Sequence, residues 1–340
     1  MKQIKIGKKN VGQENPVFIV AEAAVNHMGN MMLAKSMVDV AKENGCDAIK
    51  FQHHLPDEEM LPEIPMSSNF EEPLYELLKK YDLTLEQHHE IKRYCDQQEI
   101  MYLCTPFSLK AAIEIAPLVP AFKIGSGELT DIPSLKEIAK LGKPMIISTG
   151  MSTMDEIATT FSEISAINNH VILMNCTSEY PPKYEDINLG FISELKNRFK
   201  TVVGHSDHTP DNYTCYAAVA VGAKIIEKHF ILEKHIKGPD NSVSITPSQL
   251  GELVEGIRKI ELAMGGEKKI HELEKQIRSW AHRSIVAIKN IKKGEIFSRD
   301  NLWTKRPGTG IPSINLPKII GKIAARDIQT NTLLRQEDVE

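Results

Sequence analysis

From residue 17 to about residue 265 this chain alternates eight times between a short apolar run and an amphipathic one. The predicted strands are Val17–Ala23, Asp47–Phe51, Met101–Cys104, Ala121–Ile124, Pro144–Ser148, Val171–Asn175, Thr201–Gly204 and Lys224–Lys228. Helical patterns lie between them at Met32–Glu43, Leu85–Cys95, Ser134–Ala139, Asp155–Ile167 and Tyr213–Val221, and a last long helix is expected at Pro247–Ala263. Parallel strands need crossovers of helix length, and eight such units in about 250 residues match a closed (β/α)8 TIM barrel in count and length. A doubly wound open sheet is the competing arrangement, but no G-x-G-x-x-G or P-loop supports it.

Gly265-Gly266 is a natural helix stop, after which the pattern changes. A charged stretch fills 267–282 as a linker, and 283–340 reads as a small β-rich module, so the expected division is 1–266, 267–282 and 283–340. The formal charge of −4 is split. Arg283 to Glu340 holds 11 Lys/Arg and 6 Asp/Glu, net +5, which leaves −9 on the preceding part. This balance gives no electrostatic reason to expect nucleic acid as a partner. The five cysteines form no CxxC pair, which suits reduced thiols. Without an apolar signal core or a membrane-length run, the expectation is a soluble, cytoplasmic protein with no membrane partner.

Nearly every predicted strand ends in polar residues. These are Glu22 with Asn26-His27, Lys50 and Gln52, Thr105, Lys123 with Ser126-Gly127-Glu128, Ser148-Thr149, Thr177-Ser178, Ser206-Asp207-His208, and His229. In a (β/α)8 barrel those ends converge on one face, where active sites are built. Lys50 and Lys123 among Ser126, Ser148, Ser178 and Ser206 describe a site for a phosphate or carboxylate, held by ammonium charge, hydroxyls and backbone N–H groups. Each lysine alone could equally be a salt-bridged rim residue.

His208 and His229 close two successive strands and suit a divalent metal through imidazole nitrogen, with positions left open for substrate. His27, His53, His54 and His205 are further candidates nearby. Glu22 and Glu128 are candidate acid–base groups, with a structural ion pair as the alternative for each. Asp240 sits on a turn after the eighth strand, either reaching substrate hydroxyls or simply making the turn.

The ordered blocks Lys50-Phe51-Gln52, Thr105-Pro106-Phe107, Lys123-Ile124-Gly125-Ser126-Gly127-Glu128, Ser148-Thr149-Gly150-Met151, Ser206-Asp207-His208-Thr209, Glu227-Lys228-His229-Phe230 and Gly238-Pro239-Asp240 resemble the sialic acid synthase family. Asn301-Leu302-Trp303, with Lys305-Arg306-Pro307-Gly308, resembles that family's antifreeze-like (SAF) domain. The resemblance implies a metal-dependent condensation of phosphoenolpyruvate with an N-acyl hexosamine, N-acetylmannosamine first, giving a nine-carbon acid and phosphate by C–O cleavage. It further implies that Lys50, Thr105, Lys123, Ser126, Ser148, Ser178 and Ser206 hold phosphoenolpyruvate, and that His208 and His229 hold Mn2+, or Mg2+ or Co2+. Gln52, Asn69, Tyr180 and Asp240 would face the sugar, Glu22, Lys50 and Glu128 would be catalytic, and Arg306 would cross into a partner's site in a domain-swapped homodimer.

Met28 stands where the family usually has an asparagine, and His205 where an apolar or aromatic residue is common. Legionaminic or pseudaminic acid synthesis from a diacetamido-hexose is the alternative within the family. Outside it stand a Schiff-base aldolase using Lys50 or Lys123 and a non-enzymatic sugar-binding protein.

Overall fold

A computed structural model describes residues 3–12, 15–64, 72–235, 238 and 240–340. The chain divides into two units, Met1–Gly265 and Gly266–Glu340. The first opens with an antiparallel hairpin, β1 (Gln3–Ile6) and β2 (Lys9–Gly12), which the sequence reading did not anticipate. Eight parallel strands follow: β3 (Phe18–Glu22), β4 (Ala48–His53), β5 (Met101–Pro106), β6 (Phe122–Ile124), β7 (Met145–Ser148), β8 (Val171–Cys176), β9 (Val203–Asp207) and β10 (Ile225–His229). They close in chain order, β10 pairing with β3, so the sheet is the (β/α)8 barrel that the alternation predicted.

Strand side chains alternate in direction every residue, and that period sets the depth profile of the barrel. Val20, Ala48, Leu103, Ala121, Ile146, Met174 and Ile225 belong to one buried apolar cluster, which Ile4, Ile6 and Val11 of the hairpin complete. Two residues further along the same strands stand Glu22, Lys50, Thr105, Lys123, Ser148, Cys176 and Glu227, all buried. The interior is thus apolar toward the N-terminal ends and polar toward the C-terminal ends. The opposite face of each strand packs under the helices, with Ile19, Ala21, Ile49, Phe51, Tyr102, Ile147, Leu173, Val203 and Ile226 in the larger core.

The helices begin where local chemistry dictates. Thr84, Thr153 and Thr246 each accept from the backbone N–H three residues on, while Gln87, Glu156 and Gln249 return the bond to complete a capping box. Pro247 adds a preset φ at the first position of helix Pro247–Ala263, which ends just before Gly265-Gly266 as expected. Helices Leu74–Tyr81, Leu109–Ile115 and Gly190–Phe199 were not among the predicted elements.

On the outer face of β9 and β10, Asp207 and Lys228 form an ion pair with almost no exposure. Asp207 also accepts from Thr209 Oγ1 at 2.7 Å and Thr214 Oγ1 at 2.8 Å, and lies 3.2 Å from His205 Nε2. Burial alone would raise this carboxyl, but His205 and Lys228 hold it below the usual aspartate range. Asp207 and His205 are structural here, which explains a histidine at that position.

In the second unit, helix Glu272–Ala281 precedes β11 (Ser284–Ala287) and β12 (Leu302–Lys305), which pair antiparallel. Ile285, Ala287, Ile291, Phe297, Leu302, Ile311 and Leu334 are among its core residues. The charged stretch assigned as a linker is therefore helical through much of its length and clusters with this unit. No helix among the described residues is long and apolar enough to cross a membrane. All five cysteines are buried and unpaired.

Candidate active site

The polar layer at the C-terminal end of the barrel is built around two ammonium groups and two carboxylates. Lys50 Nζ lies 2.7 Å from Glu22 Oε2, donates to Thr105 Oγ1 at 2.8 Å and stands 3.6 Å from Glu227 Oε1. Lys123 Nζ donates to Ser148 Oγ at 2.7 Å and to the Ile124 carbonyl at 3.1 Å, and is 3.7 Å from Glu227 Oε1. Ser206 Oγ donates to Glu227 at 3.0 Å, so this hydroxyl faces the acid in the structure. Glu22 also accepts from Gln52 Nε2 at 3.2 Å and from the Ala24 N–H at 3.1 Å.

Glu227 received no separate role from the sequence reading, yet it is the carboxylate that both lysines share. Its signal was available: it lies two residues beyond interior Ile225 and two before His229. Glu128 is placed elsewhere in the layer, against Gly125, where an added Cβ would come within 2.3 Å of Glu128 Oε2. Burial pushes the Glu128 carboxyl up to about 7, and the charge of Glu59 adds to the effect.

The two shared acids titrate in opposite directions. Burial raises Glu22 to about 7 despite the opposing charge of Lys50, and the negative charge of Glu227 adds to the rise. Burial would raise Glu227 too, but Lys123 and Lys50 outweigh it and its pKa falls below the usual value. Lys50 is raised, its two carboxylates overcoming burial, whereas burial lowers Lys123 and the charge of Lys50 contributes. Glu22 can therefore gain or lose a proton near neutral pH, beside a Glu227 carboxyl whose ionised form the two lysines favour.

This arrangement carries a stability prediction. A carboxyl whose folded pKa is raised from 4.5 to about 7 favours the fold most below the unfolded value, and that contribution is lost as pH rises through about 7. Compared with Glu22→Gln, the parent protein should lose about 3 kcal/mol of relative stability between about pH 5 and about pH 8. Urea unfolding of both proteins across that range measures it, and a difference independent of pH would contradict the proton on Glu22.

Beside Lys123, three hydroxyl-bearing segments meet at Gly150. Ser126 Oγ accepts from the Gly150 N–H at 3.1 Å, and a Cβ at Gly150 would stand 2.4 Å from Ser178 Oγ and 2.8 Å from Ser126 Oγ. Only glycine leaves those two hydroxyls room beside its backbone. Ser126, Ser148 and Ser178 are thus gathered on the Lys123 side.

His208 and His229 come together with ring centroids 5.2 Å apart, and Tyr180 stacks on His208 at 4.2 Å. His208 Nδ1 lies 2.8 Å from the Thr177 carbonyl, so that nitrogen carries the proton and Nε2 keeps its lone pair. His229 Nδ1 is buried with no hydrogen-bond partner, 3.9 Å from Asp240 Oδ2. That distance is too long for a hydrogen bond but leaves space for a shared cation. Burial holds His208 down to about 4, and burial with the neighbouring His208 holds His229 well below its usual value. Two neutral imidazoles with available nitrogens beside a carboxylate fit a divalent metal. Burial raises Asp240 to about 6.

Next to the histidines is a cavity of about 230 Å3, whose lining includes the polar Gln52, His54, Tyr180, His229 and Asp240 and the apolar Leu74, Leu77, Leu78 and Phe107. Gln52, Tyr180 and Asp240, expected to face the sugar, all line this cavity, while Asn69 lies outside the described residues. His54, ranked only as a spare, lines the same cavity; it stacks on Phe107 at 4.1 Å and lies 2.8 Å from Glu59. Met28 adopts a positive φ of 48° in the loop after β3. In the second unit, exposed Arg306 sits over the Trp280 ring at 5.4 Å and donates through Nε to the Ala281 carbonyl at 3.1 Å. It has no carboxylate partner among the described residues.

Fold and site together define a parallel-barrel protein with a charged, solvent-shielded pocket at the C-terminal mouth, followed by a small β domain. Family models make the assignment specific: residues 37–269 match the NeuB family and residues 282–340 match the SAF domain. The chain belongs to the NeuB family. It is 39% identical over 330 residues to the N,N'-diacetyllegionaminic acid synthase of Campylobacter jejuni, covering 94% of this chain and 98% of that one. Its identity to the human N-acetylneuraminate-9-phosphate synthase is 33% over 339 residues, 97% and 94% of the two chains. The crystal structure of N-acetylneuraminic acid (sialic acid) synthetase from Leptospira borgpetersenii in complex with citrate superposes with a TM-score of 0.73 at 30% identity, covering 81% of this chain and 95% of that one.

Proposed function

We propose that this protein condenses phosphoenolpyruvate with an N-acyl hexosamine in a divalent-metal-dependent reaction, releasing phosphate and a nine-carbon acid. The carrying observation is the placement of Lys50 and Lys123, with the Ser126, Ser148 and Ser178 hydroxyls, beside two neutral imidazoles at one barrel mouth. Phosphoenolpyruvate is a small polyanion, and ammonium groups with converging hydroxyls and N–H donors recognise it. In the proposed chemistry, C3 of the enol attacks the open-chain aldehyde, water adds at C2, and the C2–O bond breaks to free phosphate. Lys123 and Ser148 stabilise charge on the departing phosphate, and the Glu22 proton is placed to be exchanged with the reacting oxygens. His208 and His229 would hold the metal, Mn2+ first, which would supply Lewis-acid polarisation of the aldehyde.

The acceptor is better matched by a diacetamido-hexose than by N-acetylmannosamine. The legionaminic relative is more similar to this chain than the human enzyme is, at 39% against 33% identity. The apolar residues Leu74, Leu77, Leu78 and Phe107 in the cavity lining agree with that choice, since they would offer a surface for the methyl of a second N-acetyl group.

The test is phosphate release from phosphoenolpyruvate with each sugar, with Mn2+ and then with EDTA, the product being identified by mass. We expect metal-dependent release and a nine-carbon acid, faster with the diacetamido-hexose, and loss of both in His208→Ala. Borohydride trapping of an imine on Lys50 or Lys123, or release unchanged by EDTA, would overturn the reading.

Arg306 has its guanidinium exposed and, among the described residues, no acid partner, as a residue acting on the site of a second copy would require. Arg306→Ala should raise the sugar KM about ten- to hundredfold, from a charge-assisted hydrogen bond of roughly 1.5–3 kcal/mol, with little change for phosphoenolpyruvate. Equal effects on both substrates would remove Arg306 from sugar recognition.

A further inference from the structure

One group of three potential ligands among the described residues brings its donor atoms within 4.8 Å of one another, and it is not the His208–His229 pair. It consists of His53, Asp82 and His88. His53 is the last residue of β4 and points outward, away from the interior that Lys50 and Gln52 face. His88 comes from the first turn of helix Leu85–Gln97, and Asp82 caps the end of helix Leu74–Tyr81. The two rings are 1% and 0% exposed and meet edge to face with centroids 4.7 Å apart.

Each ring is already fixed at one nitrogen and unpartnered at the other. His53 Nε2 lies 2.9 Å from Glu114 Oε2, so the proton sits there and Nδ1 presents a lone pair. His88 Nδ1 lies 2.7 Å from the Tyr102 hydroxyl. The remaining nitrogens, His53 Nδ1 and His88 Nε2, are buried without any hydrogen-bond partner. Asp82 Oδ2 is 4.0 Å from His53 Nδ1, beyond hydrogen-bonding reach, while its other oxygen accepts from the His54 N–H at 3.3 Å. Two buried nitrogens left orphaned in one place are costly, and a shared cation would satisfy both. An imidazole whose far nitrogen is held by a carboxylate or hydroxyl is also the usual arrangement of a metal-ligating histidine.

We propose that His53, Asp82 and His88 form a second, structural divalent-metal site, with two nitrogen donors and one oxygen donor of the kind that zinc-class ions take. The donors must close by about 1 Å to reach metal–ligand distances of about 2.0–2.2 Å. The ion would tie the end of β4 to helices Leu74–Tyr81 and Leu85–Gln97. That matters for the cavity, since His54 is the next residue and Leu74, Leu77 and Leu78 lie on the helix that Asp82 terminates. The inference stands apart from the proposed reaction, because none of the three residues faces the Lys50–Lys123 layer.

The experiment uses the full chain carrying His208→Ala and His229→Ala, stripped with chelator and titrated with Zn2+ or with Co2+ as a visible-absorbing probe. One equivalent should bind per chain, with ligand-field bands from Co2+ and a rise in Tm. Adding Asp82→Asn, which keeps the size and the acceptor for His54, should weaken binding about 100-fold or more, and adding His53→Ala should do the same. Circular dichroism confirms that each variant is folded. If the folded double-histidine variant binds no Zn2+ or Co2+, the site holds water or nothing and the proposal fails. Binding unchanged by both Asp82→Asn and His53→Ala would place the ion elsewhere and also overturn it.

Discussion

Lys123→Met should lower turnover about a thousandfold while leaving a folded protein. Lys123 Nζ is buried on the floor of the site, bonded to Ser148 and close to Glu227, with the Ser126 and Ser178 hydroxyls gathered nearby around Gly150. A preorganised donor directed at developing charge is worth about 10²–10³ in rate, and under the proposed function a shielded ammonium facing the departing phosphate would belong at the upper end. Methionine keeps most of the volume, so the loss reports charge more than packing. Phosphate release under saturating substrates measures kcat, and circular dichroism checks the fold. A kcat within tenfold of the parent would remove Lys123 from the anion site. Glu227 keeps Lys50 as a partner in the variant, which limits the structural cost.

Asp207→Ala is expected to cost about 3–5 kcal/mol of stability, because it leaves the Lys228 ammonium buried without a counter-charge. For a unit of this size that corresponds to a fall in Tm of roughly 6–15 °C. The Thr209 and Thr214 hydroxyls and His205 lose their acceptor in the same step. Since the carboxyl is held below the usual aspartate range, its contribution is complete above the unfolded aspartate value and is lost only in strong acid. Asp207→Leu combined with Lys228→Met should recover most of the loss, as apolar residues can replace a buried pair that neither can leave alone. Denaturant melts of the three proteins test this, and a near-neutral Asp207→Ala would show that water reaches Lys228.

The alternation of apolar and amphipathic segments was sufficient for the barrel because each βα unit is a local pattern. Val171–Cys176 carries six consecutive buried residues, the mark of a parallel strand covered on both faces. The β9 strand was placed two to three residues early, since Thr201-Val202 continues the apolar run while ladder pairing starts only at Val203. The N-terminal hairpin escaped notice for a different reason. Its strands are four residues each, and only Ile4, Ile6 and Val11 show an inward face. Helix Leu74–Tyr81 is a short amphipathic element of eight residues, and its Leu74, Leu77 and Leu78 gain meaning only from the cavity they line.

The candidate site was legible as a set of residue types at strand ends. Which of those groups bond to which was not. Ser206 was read as one of the groups that would hold phosphoenolpyruvate; the structure adds that its hydroxyl donates to Glu227, because the two stand opposite each other in the β9–β10 register. Glu22 and Glu227 have the same chemistry in the sequence, yet burial lifts one while two ammonium charges lower the other.

By itself the sequence determined the barrel, the change to a β-rich segment after Gly266, and the kinds of charge and donor at the mouth. These are local quantities, set by side-chain period, capping and turn chemistry within a few residues. Only the tertiary structure decided that Glu227 joins Lys50 to Lys123, that Asp207 and Lys228 neutralise each other outside the barrel, and that His53, Asp82 and His88 meet. Those outcomes depend on burial and on distances between segments remote in the chain, and electrostatic energies vary with both far more steeply than with residue identity.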